Sequence, residues 1–229
     1  MEILFKPEKS VKYFVYILIF LISTHLISQY IIHFIGHNYR FLRIFDLGWE
    51  QSIPSLFVTI EWLLGLFLLA VITTVKKNEG SYLYWLGLVI TFSYLTLDEA
   101  VSIHERLSNP IRSLLKLSGL LYYAWIIPYS IALFIFFLIY LRFIISLPYR
   151  TRILIITGGV LFLIGALGLE IFEGKYIEVF DRNRLYHLFY ITLEESLEMI
   201  GLGVFIYALM TYIDLECKGT RIGIKSSKG

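Results

Sequence analysis

Residues 185 to 202 read Leu-Tyr-His-Leu-Phe-Tyr-Ile-Thr-Leu-Glu-Glu-Ser-Leu-Glu-Met-Ile-Gly-Leu and open a longer apolar run that can span a bilayer as one helix. Its first half nevertheless carries His187, Glu194, Glu195 and Glu198. At about 100° per residue, His187, Glu194 and Glu198 fall within roughly 40° of one another, and Glu195 lies about 80° to one side. Ionisable residues at mid-span cost at least about 2.5–3.5 kcal/mol each. This stripe therefore indicates a functional site with partners elsewhere in the chain.

The composition is that of an integral membrane protein. Of 229 residues, 58% are apolar and only 17% are charged. The net charge of +2 is too small to indicate nucleic acid, so membrane lipid is the partner we expect. The single cysteine excludes an intrachain disulfide and a cysteine-based metal site, and the sequence does not indicate an oligomeric state.

Six apolar runs predict an all-helical bundle in which residues 1–214 form one transmembrane domain and residues 215–229 a flexible polar tail. The predicted spans run from about Tyr13 to Ile35, Pro54 to Thr74, Tyr82 to Ser108, Leu120 to Phe143, Ile153 to Phe172 and Leu185 to Ile213. The short basic connections 75–81 and 144–152 favour the cytoplasmic side, so we expect both termini in the cytoplasm. The chain is then a multi-pass protein of the cell membrane, in a bacterium the inner membrane.

This topology places acidic residues from four spans at similar depths in the outer half of the membrane, because a helix rises 1.5 Å per residue. They are Glu61 in the second span, Asp98 and Glu99 in the third, Glu170 in the fifth, and Glu194 and Glu198 in the sixth. No Lys or Arg lies in residues 82–105 or 185–216 to neutralise them. The convergence predicts one shared site.

Carboxylates with imidazoles are the ligand set of iron, manganese or zinc. We therefore predict a divalent or iron-class metal ion as cofactor. The predicted ligands are Glu61, Asp98, Glu99, Glu170, Glu194 and Glu198, and the predicted catalytic groups are His104, His187 and Glu195. Such a site would perform hydrolysis or oxidoreduction on a lipid-like, membrane-borne substrate. The Glu-x-x-His spacing of di-iron bundles is absent, and on an ideal helix His104 points away from Asp98 unless a π-bulge turns it inward.

Two other functions use the same residues. The acids could hold protons or a small ion in a cation- or proton-coupled transporter. Alternatively, in a structural or assembly protein, the acids could pair with arginines at the outer rim, which are Arg106, Arg112, Arg182 and Arg184. The inner halves of the spans carry few polar residues, which favours chemistry or binding over transport. His25 lacks a mid-span histidine partner, so we interpret it as a satisfied polar residue and not as a haem ligand.

Aromatic residues predict where the helices cross the membrane boundary, and small residues predict which helices pack closely together. Tyr82, Tyr84 and Trp85 at one boundary, and residues 121–125 at the other, are typical of interfacial aromatic belts. The small residues Gly158, Gly159, Gly165 and Gly168 allow the fifth span to approach the sixth closely.

Several motifs carry a family resemblance. Asp98-Glu-Ala-Val-Ser-Ile-His-Glu105 and Glu194-Glu-Ser-Leu-Glu-Met-Ile-Gly201, with Asp46-Leu-Gly-Trp-Glu50 and Gly165-Ala-Leu-Gly-Leu-Glu170, resemble a family of uncharacterised bacterial multipass membrane proteins. The resemblance covers roughly residues 40 to 213. It supports the choice of site residues and implies no activity. The acids and histidines are only loosely similar to those of alkaline ceramidase-like membrane hydrolases, whose paired histidines on one late helix are missing here.

Overall fold

The computed structural model describes residues 7–36, 40–180 and 185–216, and the chain in these ranges is helical without a β-strand. Five helices are long and apolar enough to cross a membrane, and a bent pair of helices makes a sixth candidate. The all-helical prediction is therefore confirmed, and the five or six apolar helices are compatible with a multi-pass membrane protein. Arg182, Arg184 and residues 217–229 lie outside the described ranges.

The long helices follow one another with short connections. They are α1 Pro7–Tyr30, α2 Ile53–Val75, α3 Tyr82–Val101, α4 Ile103–Leu115, α5 Ile126–Ser146, α6 Tyr149–Leu163, α7 Glu170–Phe180 and α8 Leu185–Glu216. A π-helical turn, Ile31–Ile35, extends α1, and a second one, Ile164–Leu169, joins α6 to α7. Short 3-10 turns cover Arg40–Phe45 and Gly119–Leu121.

The start of α2 shows how local sequence sets a boundary. The Ser52 side chain accepts a hydrogen bond from the Ser55 N–H at 3.1 Å, and Pro54 occupies the first turn. A serine cap followed by proline is a strong helix start, because it satisfies a free N–H and presets the backbone. The observed helix begins one residue before the predicted Pro54.

Backbone contact between α6 and α8 organises the bundle. A Cβ atom built on Gly158 would lie 2.7 Å from the Gly201 carbonyl oxygen, and one on Gly201 would lie 2.5 Å from the Phe162 nitrogen. One on Gly165 would lie 2.9 Å from the Glu194 carbonyl oxygen. Only residues without a side chain permit this approach, so the glycine prediction is confirmed for these positions.

The other two predicted glycines do not contribute to this contact. A Cβ on Gly159 would meet no atom within 4 Å, and one on Gly168 would approach only Leu163 and Ile164 of its own segment.

The two ends of the bundle differ in character. We call the end holding Val75, Tyr82, Ser146 and Tyr149 the packed end, and the end holding Val101, Ile126 and Leu185 the acidic end. At the packed end, aromatic rings pack across helices, with the Trp85 ring centroid 4.8 Å from that of Tyr212 in a tilted pair and 5.1 Å from that of Phe143 in an edge-to-face pair. Side chains with no exposed surface fill this end, namely Leu68, Leu69, Ile72, Trp85 and Leu209.

Two tryptophans predicted to lie in the aromatic belts are buried inside the protein. Trp85 is fully buried, and Trp125 is only 5% exposed. The belt interpretation was wrong for both, because a run of aromatic residues at a helix start does not reveal which face turns inward.

The predicted third span is interrupted at Ser102. This residue is left-handed, with φ 53° and ψ 52°, and α3 and α4 meet there at 79°. The prediction of one helix to Ser108 was therefore wrong. The predicted start of the fourth span at Leu120 was also wrong, because α5 begins at Ile126 after a 3-10 turn.

Candidate functional site

The bend at Ser102 brings Asp98 and His104 together. The Asp98 Oδ1 atom accepts a hydrogen bond from the His104 backbone N–H at 2.8 Å and lies 3.2 Å from His104 Nδ1. Asp98 thus satisfies a free N–H in the first turn of α4 while contacting the imidazole. The sequence predicted that only a π-bulge in a continuous helix would turn His104 toward Asp98. In the structure, the left-handed residue Ser102 ends the helix between them and brings the two side chains together.

Aromatic side chains connect this pair to the fifth span and to Glu170. The Trp125 indole packs beside His104 with ring centroids 5.0 Å apart, and its Nε1–H donates to Glu170 Oε1 at 2.7 Å. Trp125 lies just before α5 and Glu170 begins α7. The indole therefore holds a buried carboxylate from another helix in a defined position.

A tyrosine pair extends the Asp98 site toward the lipid-facing surface. The Tyr129 hydroxyl interacts electrostatically with Asp98, and the hydroxyls of Tyr129 and Tyr94 lie 2.6 Å apart. Tyr94 is 44% exposed, so a continuous chain of polar atoms runs from the helix surface to His104.

The second imidazole of the predicted site contacts Glu173. His187 Nδ1 lies 2.7 Å from Glu173 Oε1, although the two atoms are not aligned for a hydrogen bond. The contact joins α7 to the start of α8. Glu173 is buried, so the imidazole is the polar group available to it across this interface.

Both ring nitrogens of His25 contact neighbouring polar groups. Its Nδ1 accepts the Leu47 N–H at 3.0 Å, its Nε2 lies 3.1 Å from Thr192 Oγ1, and Asp46 Oδ1 is 3.4 Å from Nδ1. An accepting Nδ1 places the ring proton on Nε2, in the neutral form. The interpretation of His25 as a satisfied polar residue agrees with this geometry.

Glu61 is the most isolated of the predicted ligands. It is 4% exposed, and both carboxyl oxygens are buried without a hydrogen-bond partner in the described chain. Its electrostatic neighbour is Glu99 on α3, another acid. A buried carboxyl group without a partner is costly when charged, so this position requires a proton, a cation or water.

The acids of α8 have other acids as neighbours. Glu194 interacts electrostatically with Glu170 and Glu173, whereas Glu195 and Glu198 both interact with Glu99 and Glu170. Sequentially distant carboxyl groups from α3, α7 and α8 therefore lie within electrostatic range inside one bundle.

The acids also differ in accessibility. Four of the predicted site acids keep part of their surface accessible, namely Glu99, Glu194, Glu195 and Glu198. Glu61, Asp98, Glu170 and Glu173 are buried. The α8 acids and Glu99 thus keep more exposed surface than the other acids.

Metal coordination does not follow from this arrangement. In the part of the chain that the structure describes, no three His, Cys, Asp or Glu side chains are grouped so that they could hold a metal ion. The residues present do not form the predicted ligand set, and the metal hypothesis receives no support from their geometry.

Of the four rim arginines predicted as partners of the acids, the structure describes Arg106 and Arg112. The Arg112 guanidinium packs over the Tyr122 ring and donates to Asn109 Oδ1 at 2.9 Å. Within the described ranges, neither Arg106 nor Arg112 forms an ion pair with a predicted site acid.

A family described as a domain of unknown function, DUF8692, matches residues 13–213. The chain belongs to this family. The match runs from α1 into the last turns of α8, so it includes every residue discussed above. Comparisons with curated proteins and with solved structures find no match. The resemblance to a family without an assigned activity is confirmed at this level.

Sequence reasoning missed the side chains that connect the acids. Tyr94, Tyr129, Trp125 and Glu173 were not among the predicted site residues. One signal was present for Glu173, because it lies three residues after Glu170 on the same helix face. The tyrosines gave no such signal, since aromatic residues are abundant throughout the chain.

Proposed function

We propose that this membrane protein binds and releases protons at its interior acids, and that it couples this step to movement of a small cation or solute. Of the two alternatives to a metal site that the sequence left open, this proposal is the cation- or proton-coupled transporter, not the structural or assembly protein. Carboxyl groups inside membrane helices commonly mark ion pathways and proton relays.

The observation that carries the proposal is the buried, unpartnered carboxyl group of Glu61 beside Glu99. Two neighbouring acids in a medium of low dielectric constant do not both carry charge without a cation. Because described Lys and Arg side chains do not pair with them, a proton is the simplest neutralising species. A proton that can be held can also be exchanged.

The exposure of the acids supports a proton path that opens at the acidic end of the bundle. The partly accessible acids Glu99, Glu195 and Glu198 belong to the acidic end, whereas the packed end is filled by fully buried side chains. A transporter caught in one conformation has its site open to one side and closed to the other. The small number of polar residues in the inner halves of the spans was interpreted above as favouring chemistry over transport. A transporter conformation that is closed at the packed end has the same distribution of polar residues.

The polar chain from Tyr94 through Tyr129 to Asp98 and His104 supplies groups that can pass a proton. Tyrosine hydroxyls and imidazole both donate and accept hydrogen bonds. His187 beside Glu173 is a second acid–imidazole pair at the same end. In this proposal Glu61, Glu99, Glu195 and Glu198 store protons, and His104 and His187 exchange them.

Infrared titration of the purified full chain tests the proton-binding step. We expect a carboxylic acid C=O band at neutral pH, and we expect Glu61→Gln to remove part of it. Glu79→Gln is the matched control, because the Glu79 side chain is 53% exposed and pairs with Lys76 at the packed end. A wild-type spectrum without this band, or equal loss in both variants, contradicts the proposal.

Proteoliposomes loaded with a pH-sensitive dye test the transport step. The chain should dissipate an imposed pH gradient in the presence of an alkali cation, and Glu61→Gln should reduce the rate to that of empty liposomes. Glu79→Gln should retain wild-type rates. Rates equal to empty liposomes for wild type under every cation gradient would reject transport.

Elemental analysis separates this proposal from the metal-dependent alternative. Protein purified without chelator should carry less than one divalent or iron-class ion per chain, and chelator should leave the melting temperature unchanged. A stoichiometric metal that Glu194→Ala with Glu198→Ala removes, together with a lower melting temperature on chelation, would establish the metal site.

A further inference from the structure

We propose that α4 and the turn after it bind the phosphate headgroup of an anionic phospholipid at the membrane surface. The site is separate from the interior acids and does not depend on the proposed transport. It rests on the direction of α4, on a cavity beside it, and on the state of Arg112.

The direction of α4 is set by the left-handed residue Ser102. A 79° bend turns α4 nearly perpendicular to α3, the longer helix of the bent pair that makes the sixth candidate span. A helix at this angle to a span runs along the membrane surface. Its sequence suits that position, because it separates exposed leucines from charged residues.

The exposed leucines provide an acyl-chain surface. Leu114 is 80% exposed and Leu115 is 53% exposed, and Leu120 and Leu121 in the following turn are also exposed. At about 100° per residue, Leu107 and Leu114 lie within roughly 20° of each other, whereas Arg112 lies about 140° from Leu107. Apolar and cationic side chains thus point in different directions from one helix.

A cavity of about 610 Å³ lies on the polar side of α4. Its lining residues are Asn109, Pro110, Arg112, Ser113, Leu117 and Tyr122. It is open to the surroundings, so a headgroup can enter while its chains remain in the bilayer. The lining combines the Arg112 cation with the Asn109 amide, which are suitable donors for phosphate oxygens, whereas the Ser113 hydroxyl donates to the Pro110 carbonyl at 2.9 Å.

Arg112 is pre-organised to bind an anion. Its guanidinium packs 4.2 Å from the centre of the Tyr122 ring and donates one hydrogen bond to Asn109. A guanidinium has five N–H donors, and among the described carboxylates none forms an ion pair with Arg112. The ring and the amide fix the side chain, so little conformational entropy is lost when a phosphate binds.

Charge complementarity selects an anionic lipid as the occupant. Arg106, Arg112 and Lys116 are basic, and Glu105 is the single acid between residues 103 and 117. Basic residues near a membrane surface attract anionic lipid, whereas a zwitterionic headgroup offers no net charge. Free phosphate lacks the acyl chains that the exposed leucines would contact.

Native mass spectrometry of the full chain in mixed micelles tests the site with phosphatidylglycerol and phosphatidylcholine as probes. Wild type should bind phosphatidylglycerol more tightly. Arg112→Gln should weaken this binding roughly tenfold, which corresponds to losing one charge-assisted contact. Arg106→Gln is the matched control with the same charge change on the same helix, and it should stay within about twofold.

A second variant covers the case in which Arg112→Gln does not fold, as checked by circular dichroism. Tyr122→Leu removes the ring beneath the guanidinium and should weaken phosphatidylglycerol binding about two- to fivefold. Equal binding of the two lipids, or equal weakening by the Arg106 and Arg112 variants, would overturn the proposal. Displacement of the lipid by an equal concentration of inorganic phosphate would assign the site to a free anion and would also overturn it.

Discussion

The interior histidines show how single residues are accommodated in a membrane helix bundle. His25, His104 and His187 each contact a carboxylate, yet their roles differ. His25 is enclosed with both nitrogens occupied, whereas His104 and His187 keep 25% and 22% of their side chains exposed. The proposed function therefore assigns proton exchange to the last two and not to His25.

The double contact of Asp98 leads to a prediction about stability. Asp98→Ala leaves the buried His104 N–H without its acceptor, so the free energy of unfolding should fall by about 1–3 kcal/mol. Asp98→Asn retains an oxygen acceptor and should cost less. Denaturant unfolding in detergent micelles, followed by circular dichroism, measures both changes.

Comparison with His104→Ala separates the two contacts of Asp98, since that variant keeps the backbone hydrogen bond and removes only the ring. It should be milder than Asp98→Ala. If Asp98→Asn is as damaging as Asp98→Ala, the negative charge and not the hydrogen bond is what α4 requires.

At the scale of elements, departures from ideal helix geometry are concentrated at the acidic end. The left-handed residue Ser102 ends α3, and the π-helical turn Ile164–Leu169 separates α6 from α7. Gly165 within this turn lies against the Glu194 backbone and the Glu198 side chain of α8. Because π-helical turns often occur at functional sites, this position is consistent with the proposed role of the α8 acids.

Close packing of α6 on α8 predicts which glycines tolerate a methyl group. Gly158→Ala and Gly201→Ala should each lower the free energy of unfolding by about 1–3 kcal/mol, because the new Cβ would meet the partner's backbone. Gly159→Ala is the matched control, since its Cβ would meet nothing within 4 Å. It should be neutral or stabilising by about 0.5–1 kcal/mol.

Thermal unfolding of these three variants under identical detergent conditions provides the measurement. Equal effects at positions 158 and 159 would mean that the two helices do not touch along the Gly158 face.

For the whole molecule, the bundle combines a rigid, apolar packed end with a polar acidic end. Lys76 is a basic residue at the packed end, where it pairs with Glu79 and faces the Tyr212 ring. We propose that the packed end faces the cytoplasm, because basic connections favour that side.

Cysteine labelling of intact cells tests this orientation. With Cys217 replaced by serine, Glu50→Cys should react with a membrane-impermeant maleimide, and Lys77→Cys should react only after the cells are permeabilised. The reverse pattern would place the acidic end in the cytoplasm, and it would leave the bundle itself unchanged.

The helices that cross the membrane were predictable from sequence because hydropathy is a property of consecutive residues. The observed boundaries of α2 differ from prediction by one residue at each end, as apolar length and the Ser52 cap are both local. The same reasoning selected the acidic residues, since a charged side chain within an apolar run is conspicuous in one dimension.

The tertiary structure decided which of these residues meet. Trp125 and Glu170 are 45 positions apart, and His25 and Thr192 are 167 apart, so no periodicity connects them. The left-handed turn at Ser102 was equally hidden, because its cost is offset by contacts that form only in the folded bundle, including the hydrogen bond from His104 to Asp98. Hydropathy sets where the chain enters the membrane, whereas side-chain packing between helices sets which polar groups share the interior.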